Sequence, residues 1–207
     1  MTTIQPEYTK ITAISIALSM ALFTAFQIVF HIPVQLIFLK VGIVGFIVGL
    51  FWLMFEKWAW RWKAVRSFGY MKYPPDLNGR WEGTLQRVGE VAPHKFVLEI
   101  VQTYSYIKVN AYSAHSDSHS LTACLLTDEI NSHYILISTW ICTTRNTLPL
   151  GTVLEFHGTS IIELSKGEVG PKSRTLNDSY FTNRHPQTRG TTKLQWVGKQ
   201  LYSTFNI

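Results

Sequence analysis

The chain has 207 residues, of which 46% are hydrophobic and 15% charged, and its 19 lysines and arginines exceed its 13 aspartates and glutamates. A net charge of +6 suggests nucleic-acid binding, but seven basic and only two acidic residues lie in residues 1–72, and no run of five Lys or Arg occurs. The basic excess therefore belongs to one end of the chain, and a function in binding duplex DNA or RNA has little support.

The first long apolar segment runs from Ile11 to Phe30, 20 positions without a charged side chain. As a helix that rises about 1.5 Å per residue, it spans the ~30 Å hydrocarbon core of a bilayer. A second segment, Val41–Phe55, becomes long enough if residues 36–39 join it or if it continues through Trp58, and Lys40 would then extend to a lipid headgroup. With a break at His31–Pro33, these segments predict two transmembrane helices at about residues 11–31 and 36–58.

Two other interpretations of the apolar segments are a cleaved signal peptide and a pair of buried core helices. The first segment is longer than the ~7–15 apolar residues of a signal peptide, and no convincing A-x-A cleavage site follows it. Two helices that are apolar on every face would need a large partner core in a soluble protein. We therefore expect an uncleaved membrane anchor.

The distribution of basic residues predicts the orientation of this anchor. No Lys or Arg lies between Ile11 and Gln35, whereas five follow the second segment: Lys57, Arg61, Lys63, Arg66 and Lys72. Because positive residues near membrane spans are retained in the cytoplasm, a multi-pass protein with both termini cytoplasmic is expected. The lipid bilayer, and its anionic inner leaflet in particular, is the predicted partner of this flank.

Small residues recur within both apolar segments. Gly45 and Gly49 have the G-x-x-x-G spacing, and Ser15 and Ser19 have an equivalent spacing in the first segment. Such pairs allow two helix backbones to approach closely. The pattern predicts close helix packing, either within the hairpin or between chains.

The character of the sequence changes at Tyr73–Asp76, where apolar runs shorten and turn residues recur every ten to fifteen positions. This predicts two domains: a membrane module in residues 1–72 and a cytoplasmic domain in residues 73–207. Alternating polarity in the second domain indicates strands, and no helical pattern of similar strength interrupts them. The predicted strands are Gly79–Val88, His94–Thr103, Tyr106–Ala114, Ser120–Thr127, Tyr134–Thr144, Thr152–Leu164 with a bend or bulge at Gly158, Ser179–Asn183 and Thr191–Val197.

Eight short antiparallel strands favour an all-β domain, an up-and-down barrel of the lipocalin-like kind. Closure removes the sheet edges, and a barrel of this size can hold one small ligand. A β-sandwich is the alternative architecture. The predicted fold class is therefore an N-terminal two-helix transmembrane hairpin followed by an antiparallel β-barrel of about eight strands.

The sequence contains no positive sign of catalysis. Motifs for nucleophilic, metalloprotease, phosphate-binding or dinucleotide-binding sites are absent from it, and no carboxylate pair stands out. The segment 114–119 has two histidines and one aspartate, but a polar hairpin turn explains it better than a metal site, which usually needs further ligands. The sequence predicts a protein that is not an enzyme and has no cofactor or metal. Its two cysteines, Cys124 and Cys142, are expected to be buried thiols.

A family resemblance begins at Asp76–Thr84, where Gly79-Arg80-Trp81 resembles the opening strand of lipocalin-type barrels, whose G-x-W tryptophan plugs the barrel floor. With the two-helix module and the later blocks Ser179–Arg184 and Arg189–Leu194, the chain resembles the two-transmembrane β-barrel effectors of bacterial CBASS antiphage defence. The resemblance implies a cytoplasmic barrel that binds a cyclic dinucleotide made by a partner cyclic-nucleotide synthase. It also implies that the bound protein forms homo-oligomers and disrupts the inner membrane, causing abortive infection.

A cyclic dinucleotide presents two phosphates and two bases, and one block of the sequence offers suitable partners for the phosphates. In a regular strand Tyr180, Thr182 and Arg184 share a face because side chains alternate with period two. Arginine suits a phosphate because its planar guanidinium donates two parallel hydrogen bonds. Arg189, across the 185–188 loop, is in a position to close the mouth of the barrel.

Aromatic side chains are the expected partners of the bases, since stacking contributes ~1–3 kcal/mol per base. Tyr104, Tyr106 and Trp140 are the candidates, and each can face either the lumen or solvent. Trp81 is expected to be structural. These assignments predict a ligand site formed by Tyr180, Thr182, Arg184, Arg189, Tyr104, Tyr106 and Trp140.

An alternative function is a membrane-anchored, lipocalin-like protein that binds a lipid or another small molecule, or that serves as an envelope scaffold. The polarity of the lumen separates the two functions. An apolar lumen favours a lipid or a solid core, whereas inward arginine, threonine and tyrosine side chains favour a nucleotide.

Overall fold

A computed structural model describes residues 2–3, 8–30, 37–67, 69, 73–128, 133–144, 155–165 and 175–205. The predicted break at His31–Pro33, the basic residue Lys72 and the first three residues of the predicted strand from Thr152 lie outside this set. The chain divides into two compact units. The helical unit comprises Gln5–Pro74 and Thr103–Ser105, and the barrel unit comprises Met1–Ile4, Pro75–Gln102 and Tyr106–Ile207.

The helical unit contains the two predicted apolar helices. The apolar helices are α1 (Tyr8–Phe30) and α2 (Ile37–Lys57). A 3₁₀ turn at Ala59–Arg61 and a short helix, α3 (Lys63–Ser67), follow them. Segments Tyr8–Val29 and Phe38–Lys57 are long and apolar enough to cross a membrane. The prediction of two apolar N-terminal helices is confirmed.

Two polar contacts join α1 to α2. The Trp52 indole donates to the Ser15 hydroxyl at 2.7 Å, and the Lys40 ammonium donates to the Gln27 side-chain oxygen at 2.7 Å. Lys40 is only 3% exposed. The expectation that Lys40 extends to a headgroup was therefore wrong, because Gln27 on the facing helix offers it an acceptor inside the hairpin.

The glycines of α2 are not needed to pack the hairpin. A Cβ atom added at Gly42, Gly45 or Gly49 would have no described atom within 4 Å. In contrast, Ser15 is already occupied, since it accepts from Trp52 and donates to the Ile11 carbonyl at 2.8 Å. Among the described residues, the glycine face of α2 is thus uncovered.

The C-terminal turn of α2 binds the segment Thr103–Ser105 within the helical unit. The Glu56 carboxylate accepts hydrogen bonds from the Thr103 hydroxyl and from the N–H and hydroxyl of Ser105, the last two at 3.0 and 2.7 Å. The Tyr104 N–H donates to the Glu56 carbonyl at 3.1 Å, and the Tyr104 ring meets the Phe55 ring edge-on at 5.1 Å. Tyr104 is therefore part of an aromatic cluster at the end of α2.

The barrel unit is a closed eight-stranded antiparallel barrel, which confirms the predicted fold and excludes the sandwich. Successive strands pair in order, β2 pairs with β9, and the closure includes pairing of β5 with β6. A two-residue strand, β1 (Thr2–Thr3), adds to β5. The barrel strands are β2 (Gly79–Arg87), β3 (His94–Gln102), β4 (Ile107–Tyr112), β5 (Ser116–Asp128), β6 (His133–Thr144), β7 (Glu155–Ser165), β8 (Thr175–Thr182) and β9 (Arg189–Gly198).

Three details of the predicted strands were wrong. Strand β5 begins at Ser116 and β8 at Thr175, both four residues before the predicted starts. The early part of β5 was read as a turn because it is polar on both faces. The register of β7 against β6 runs unbroken through Gly158, whereas shifts occur between Arg80 and Trp81 and between Ser120 and Thr122.

The hydrophobic core fills one end of the barrel, which we call the floor. Trp81 lies in it, 2% exposed, and its indole donates to the Leu77 carbonyl at 3.0 Å. This agrees with the structural role expected for Trp81. The buried residues of this cluster are Leu77, Trp81, Leu98, Ile100, Val109, Ala111, Leu125, Leu136, Ile162, Leu164, Leu176 and Leu194.

The C-terminal segment is held against the barrel by a buried ion pair. Arg80 donates to Glu99 at 2.9 Å and to the Thr204 carbonyl at 2.9 Å. Glu99 also accepts from the Tyr202 and Ser203 N–H groups at 2.8 and 3.2 Å. Because Glu99 alternates with the inward Leu98, this contact lies on the outer face of the barrel.

Candidate functional site

The end of the barrel opposite Trp81, which we call the mouth, contains a cavity of about 480 Å³. Inward-facing residues of all eight barrel strands line it, from Leu85 on β2 to Thr192 on β9. Its size lies within the ~300–1,000 Å³ that is usual for small-ligand sites. The cavity lies at the mouth because the apolar core around Trp81 fills the other end of the barrel.

The structure brings four of the seven predicted site residues to this cavity. Tyr180, Thr182 and Arg184 line it together, as the period of two predicts, and Trp140 joins them from β6. The Thr182 and Thr188 hydroxyls are 2.8 Å apart, and the Arg184 Nε donates to the Thr188 hydroxyl at 3.2 Å. Thr188 therefore orients both side chains.

The other three predicted residues are not among those that line the cavity. Tyr104 belongs to the aromatic cluster of the helical unit. Tyr106 is 55% exposed just before β4, and Arg189 is exposed at the start of β9, where it alternates with the buried Gly190. Their roles in ligand binding remain predictions without support from the cavity.

Two aromatic rings in the cavity each lie against a glycine of a neighbouring strand. A Cβ atom at Gly158 would stand 2.2 Å from the Trp140 ring, and one at Gly190 would stand 2.8 Å from the Tyr180 ring. Trp140 also donates to the Ser160 hydroxyl at 3.1 Å. Gly158, expected to bend its strand, instead makes room for a flat indole on the lumen wall.

Cationic side chains surround the mouth. The Arg184 guanidinium lies 5.1 Å from the centre of the Phe156 ring, which in turn meets Trp140 edge-on at 6.1 Å. Arg87 donates to Glu90 at 3.1 Å, and His94 lies 2.6 Å from the same carboxylate. Contacts with His94 and then Arg87 lower the pKa of Glu90. Glu90 offsets the charge of Arg87, whereas Arg184 and the lining residue Lys95 leave the mouth positive, which suits an anionic ligand.

Three buried polar atoms in the cavity have no hydrogen-bond partner among the described residues. They are Asp178 Oδ1, the Tyr180 hydroxyl and the Thr192 hydroxyl oxygen. Burial raises the pKa of Asp178 to about 7, against the opposing effect of the Ser160 hydroxyl, the Ile161 N–H and the Thr192 hydroxyl nearby. Unpartnered buried groups are costly, so these three need partners that a bound ligand or water in the cavity can supply.

Sequence reasoning missed Asp178 and Arg87. Asp178 precedes the predicted start of its strand, although its two-residue spacing from Tyr180 places it on the same face. Arg87 ends β2, and the same rule counted from Trp81 points it inward. Period-two counting extended to the strand ends was the signal that could have found both residues.

Both cysteines have free thiols in the structure. Cys142 lines the cavity and is buried, and burial raises the pKa of its thiol. Cys124 is only partly buried, so the expectation of two buried thiols holds for Cys142 alone. In the described part of the chain, no three His, Cys, Asp or Glu side chains come together as a metal site.

Comparison with protein families gives one match that covers more than half of the chain. Residues 71–196 match the family model described as Cap15, cyclic dinucleotide receptor domain. No curated protein matches the chain. The matched residues include every barrel strand from β2 to β8 and most of β9, and thus the strands that form the cavity.

Proposed function

Because this chain belongs to the Cap15 cyclic dinucleotide receptor domain family, we propose that it binds a cyclic dinucleotide in the mouth cavity, and that binding assembles its membrane helices and disrupts the bacterial inner membrane. The family, the closed barrel and the two apolar helices together identify a CBASS membrane effector. The observation that supports this binding site is that aromatic rings, an arginine and unpartnered polar atoms line the same cavity.

The cavity meets the chemical needs of the ligand in two layers. Arg184 and Arg87 at the mouth supply donors for phosphate, and Trp140 and Tyr180 supply flat faces for bases. The lumen also carries many hydroxyls, including Ser138 on its wall. This polarity favours a nucleotide over the lipid or solid core of the alternative function.

In this proposal the two units of the chain have different functions. We assign membrane insertion to residues 1–72 and ligand sensing to residues 73–207. Two crossings return the chain to its starting side, and pairing of Thr2–Thr3 with β5 places the N-terminus beside the barrel. With the basic flank after α2, this arrangement supports both termini in the cytoplasm, where a synthase would supply the ligand.

Assembly requires that the ligand bind the oligomer more tightly than the single chain. A shift from 1:99 to 99:1 needs ~5.5 kcal/mol of such preference, which several barrels binding together can supply. The glycine face of α2 fits close packing between chains, because no described atom of the chain lies within 4 Å of a Cβ at Gly45 or Gly49. Assembly through this face would bring apolar helices of several chains together in the bilayer and make the membrane permeable.

Arg184→Ala is expected to weaken cyclic dinucleotide binding at least tenfold while the barrel stays folded. The side chain is partly exposed at the mouth, so its loss leaves no cavity in the core. A hydrogen bond to a charged group contributes roughly 1.5–3 kcal/mol, and a bidentate arginine makes two. Isothermal titration of the full-length protein in detergent with c-di-GMP, c-di-AMP and c-di-UMP measures the change.

Lys193→Ala is the matched control for this experiment. Lys193 is another cation near the end of the chain, exposed on the outer face of β9 between the inward Thr192 and Leu194. Its loss should leave affinity within about twofold. Equal affinities of wild type and a folded Arg184→Ala protein would remove Arg184 from the site.

A further inference from the structure

Asp178 and Thr192, two of the residues with unpartnered polar atoms, lie at one depth along the barrel axis. This depth, which we call the acidic level, is farther from the mouth than the arginines. Asp178 and Thr192 are opposite each other on β8 and β9. The next pair towards the mouth on the same face is Tyr180 and Gly190, and Gly190 is opposite Arg87 on β2. One such step of two residues is about 7 Å along a strand. The acidic level is therefore deeper in the lumen than the nearest guanidinium.

Charge determines which part of a cyclic dinucleotide can occupy each level. A phosphate beside the Asp178 carboxyl would meet like charge, whereas one at the mouth meets Arg87 and Arg184. Below Asp178 the next inward residue of β8 is Leu176, which belongs to the apolar core. The group that enters the deeper level is therefore uncharged, and the nucleobase is the uncharged part of the ligand that extends away from the phosphates.

The unpartnered atoms have the hydrogen-bonding capacity to read a base edge. When Asp178 is ionised its Oδ1 can only accept, so that form requires an N–H or O–H from the ligand. The Tyr180 and Thr192 hydroxyls can donate or accept, and neither has a hydrogen-bond partner within the described part of the chain. Every nucleobase presents a pattern of N–H donors and bare acceptors on its Watson–Crick edge, and the pattern differs from base to base.

We propose that Asp178, with Tyr180 and Thr192, binds the Watson–Crick edge of one nucleobase and so sets the base selectivity of the receptor. The inference rests on the proposed binding of a cyclic dinucleotide in the lumen. It adds an orientation, with one base inward and the phosphates at the mouth. It also adds a specificity-determining residue that lies outside the predicted site.

The side chain at position 178 fixes which edge is favoured. An ionised carboxylate, the form that predominates above pH 7, offers only acceptors and suits guanine, which presents an imide N–H beside an amino group. An amide presents one acceptor and one donor and suits adenine, whose amino group stands beside a bare ring nitrogen. Asp178→Asn therefore changes the hydrogen-bonding pattern with almost no change in shape, and it places an uncharged group where burial already disfavours charge.

The test compares three probes, c-di-GMP, c-di-AMP and c-di-UMP, on full-length wild type and Asp178→Asn in detergent. The ratio of c-di-GMP to c-di-AMP affinity should fall at least tenfold in the variant. Thr192→Val, which removes a hydroxyl from the same level, should also change the ranking of the probes and does not depend on how the Asn variant folds. Ser179→Ala, on the exposed face of β8, should leave the ranking unchanged.

Two results would overturn the inference, and they can be told apart. If Asp178→Asn and Thr192→Val change all three affinities by the same factor, or by none, the level does not contact the bases; an equal loss would place a ribose hydroxyl there. If none of the probes binds wild type, the proposed function fails together with the inference. A changed ranking in both variants supports base reading.

Discussion

Replacing Gly45 and Gly49 together by leucine is expected to abolish ligand-induced membrane leakage while leaving ligand affinity within about twofold of wild type. No described atom lies within 4 Å of a Cβ at either position, so the single chain can accommodate the larger side chains. Between chains, leucine would hold the helix backbones apart and prevent close packing. The measurement is dye release from liposomes that contain the full-length protein, started by the tightest-binding cyclic dinucleotide.

A volume-preserving swap in the same turn provides the control. Phe46→Leu with Leu50→Phe changes two exposed residues at the same four-residue spacing, and Phe46 is 71% exposed. Leakage should persist in this variant. Full leakage from the double leucine protein at equal reconstitution would show that the glycine face has no part in the membrane lesion.

Asp178→Asn is expected to stabilise the barrel at pH 8 by on the order of 4 kcal/mol. Folding raises the pKa of this carboxyl from 3.8 to about 7, mainly through burial. The folded state therefore binds the proton more tightly than the unfolded chain, so the stability of wild type falls as pH rises from about 4 to about 7 and is level above that. About three pKa units at 1.36 kcal/mol each give this penalty, which the amide avoids.

The gain should be less than half as large at pH 5, where much of the wild-type carboxyl is already protonated in the folded state. Urea unfolding of the detergent-solubilised protein at pH 5 and pH 8 measures both values. Glu163→Gln removes an exposed carboxylate from β7 and should leave the unfolding midpoint unchanged. An equal gain in stability at both pH values, or a loss of stability at pH 8, would contradict the account. In that account, burial of Asp178 destabilises the ionised form of its carboxyl. A stabilised protein with altered base ranking would show that the site trades stability for recognition.

The sequence predicted the elements in which apolar side chains are buried and polar side chains are exposed. Uncharged runs of membrane-spanning length predicted α1 and α2, and the alternation of Phe96, Leu98 and Ile100 with charged neighbours predicted β3. The G-x-W tryptophan predicted the floor of the barrel for the same reason, since Trp81 packs among apolar residues. These signals depend only on which side chains avoid water.

The features that sequence missed lie where the lumen is polar. Ser116 and Ser118 line the cavity, so the start of β5 is polar on both faces and resembles a turn. The predicted strand from Ser179 leaves out Asp178, whose inward carboxyl interrupts the apolar alternation of β8. Tyr104 stays a prediction for base stacking, and its contact with Phe55 could not be predicted because the two residues are far apart in the sequence. Polar residues inside the lumen depart from the apolar-inward alternation by which the strands were predicted.

The central claim, that a cyclic dinucleotide binds inside the barrel, is tested most directly by ligand-induced quenching of Trp140 fluorescence. A base stacked on this indole should quench it, whereas Trp81 in the core, Trp196 packed against the core and the tryptophans of the helical unit would report little. Full-length wild type and Trp140→Phe are titrated in detergent with each of the three cyclic dinucleotides, and binding is measured in parallel by calorimetry. The account predicts saturable quenching in wild type that is lost in Trp140→Phe, although the phenylalanine protein still binds with reduced affinity. Binding accompanied by equal quenching in both proteins would place the ligand outside the lumen and contradict the account.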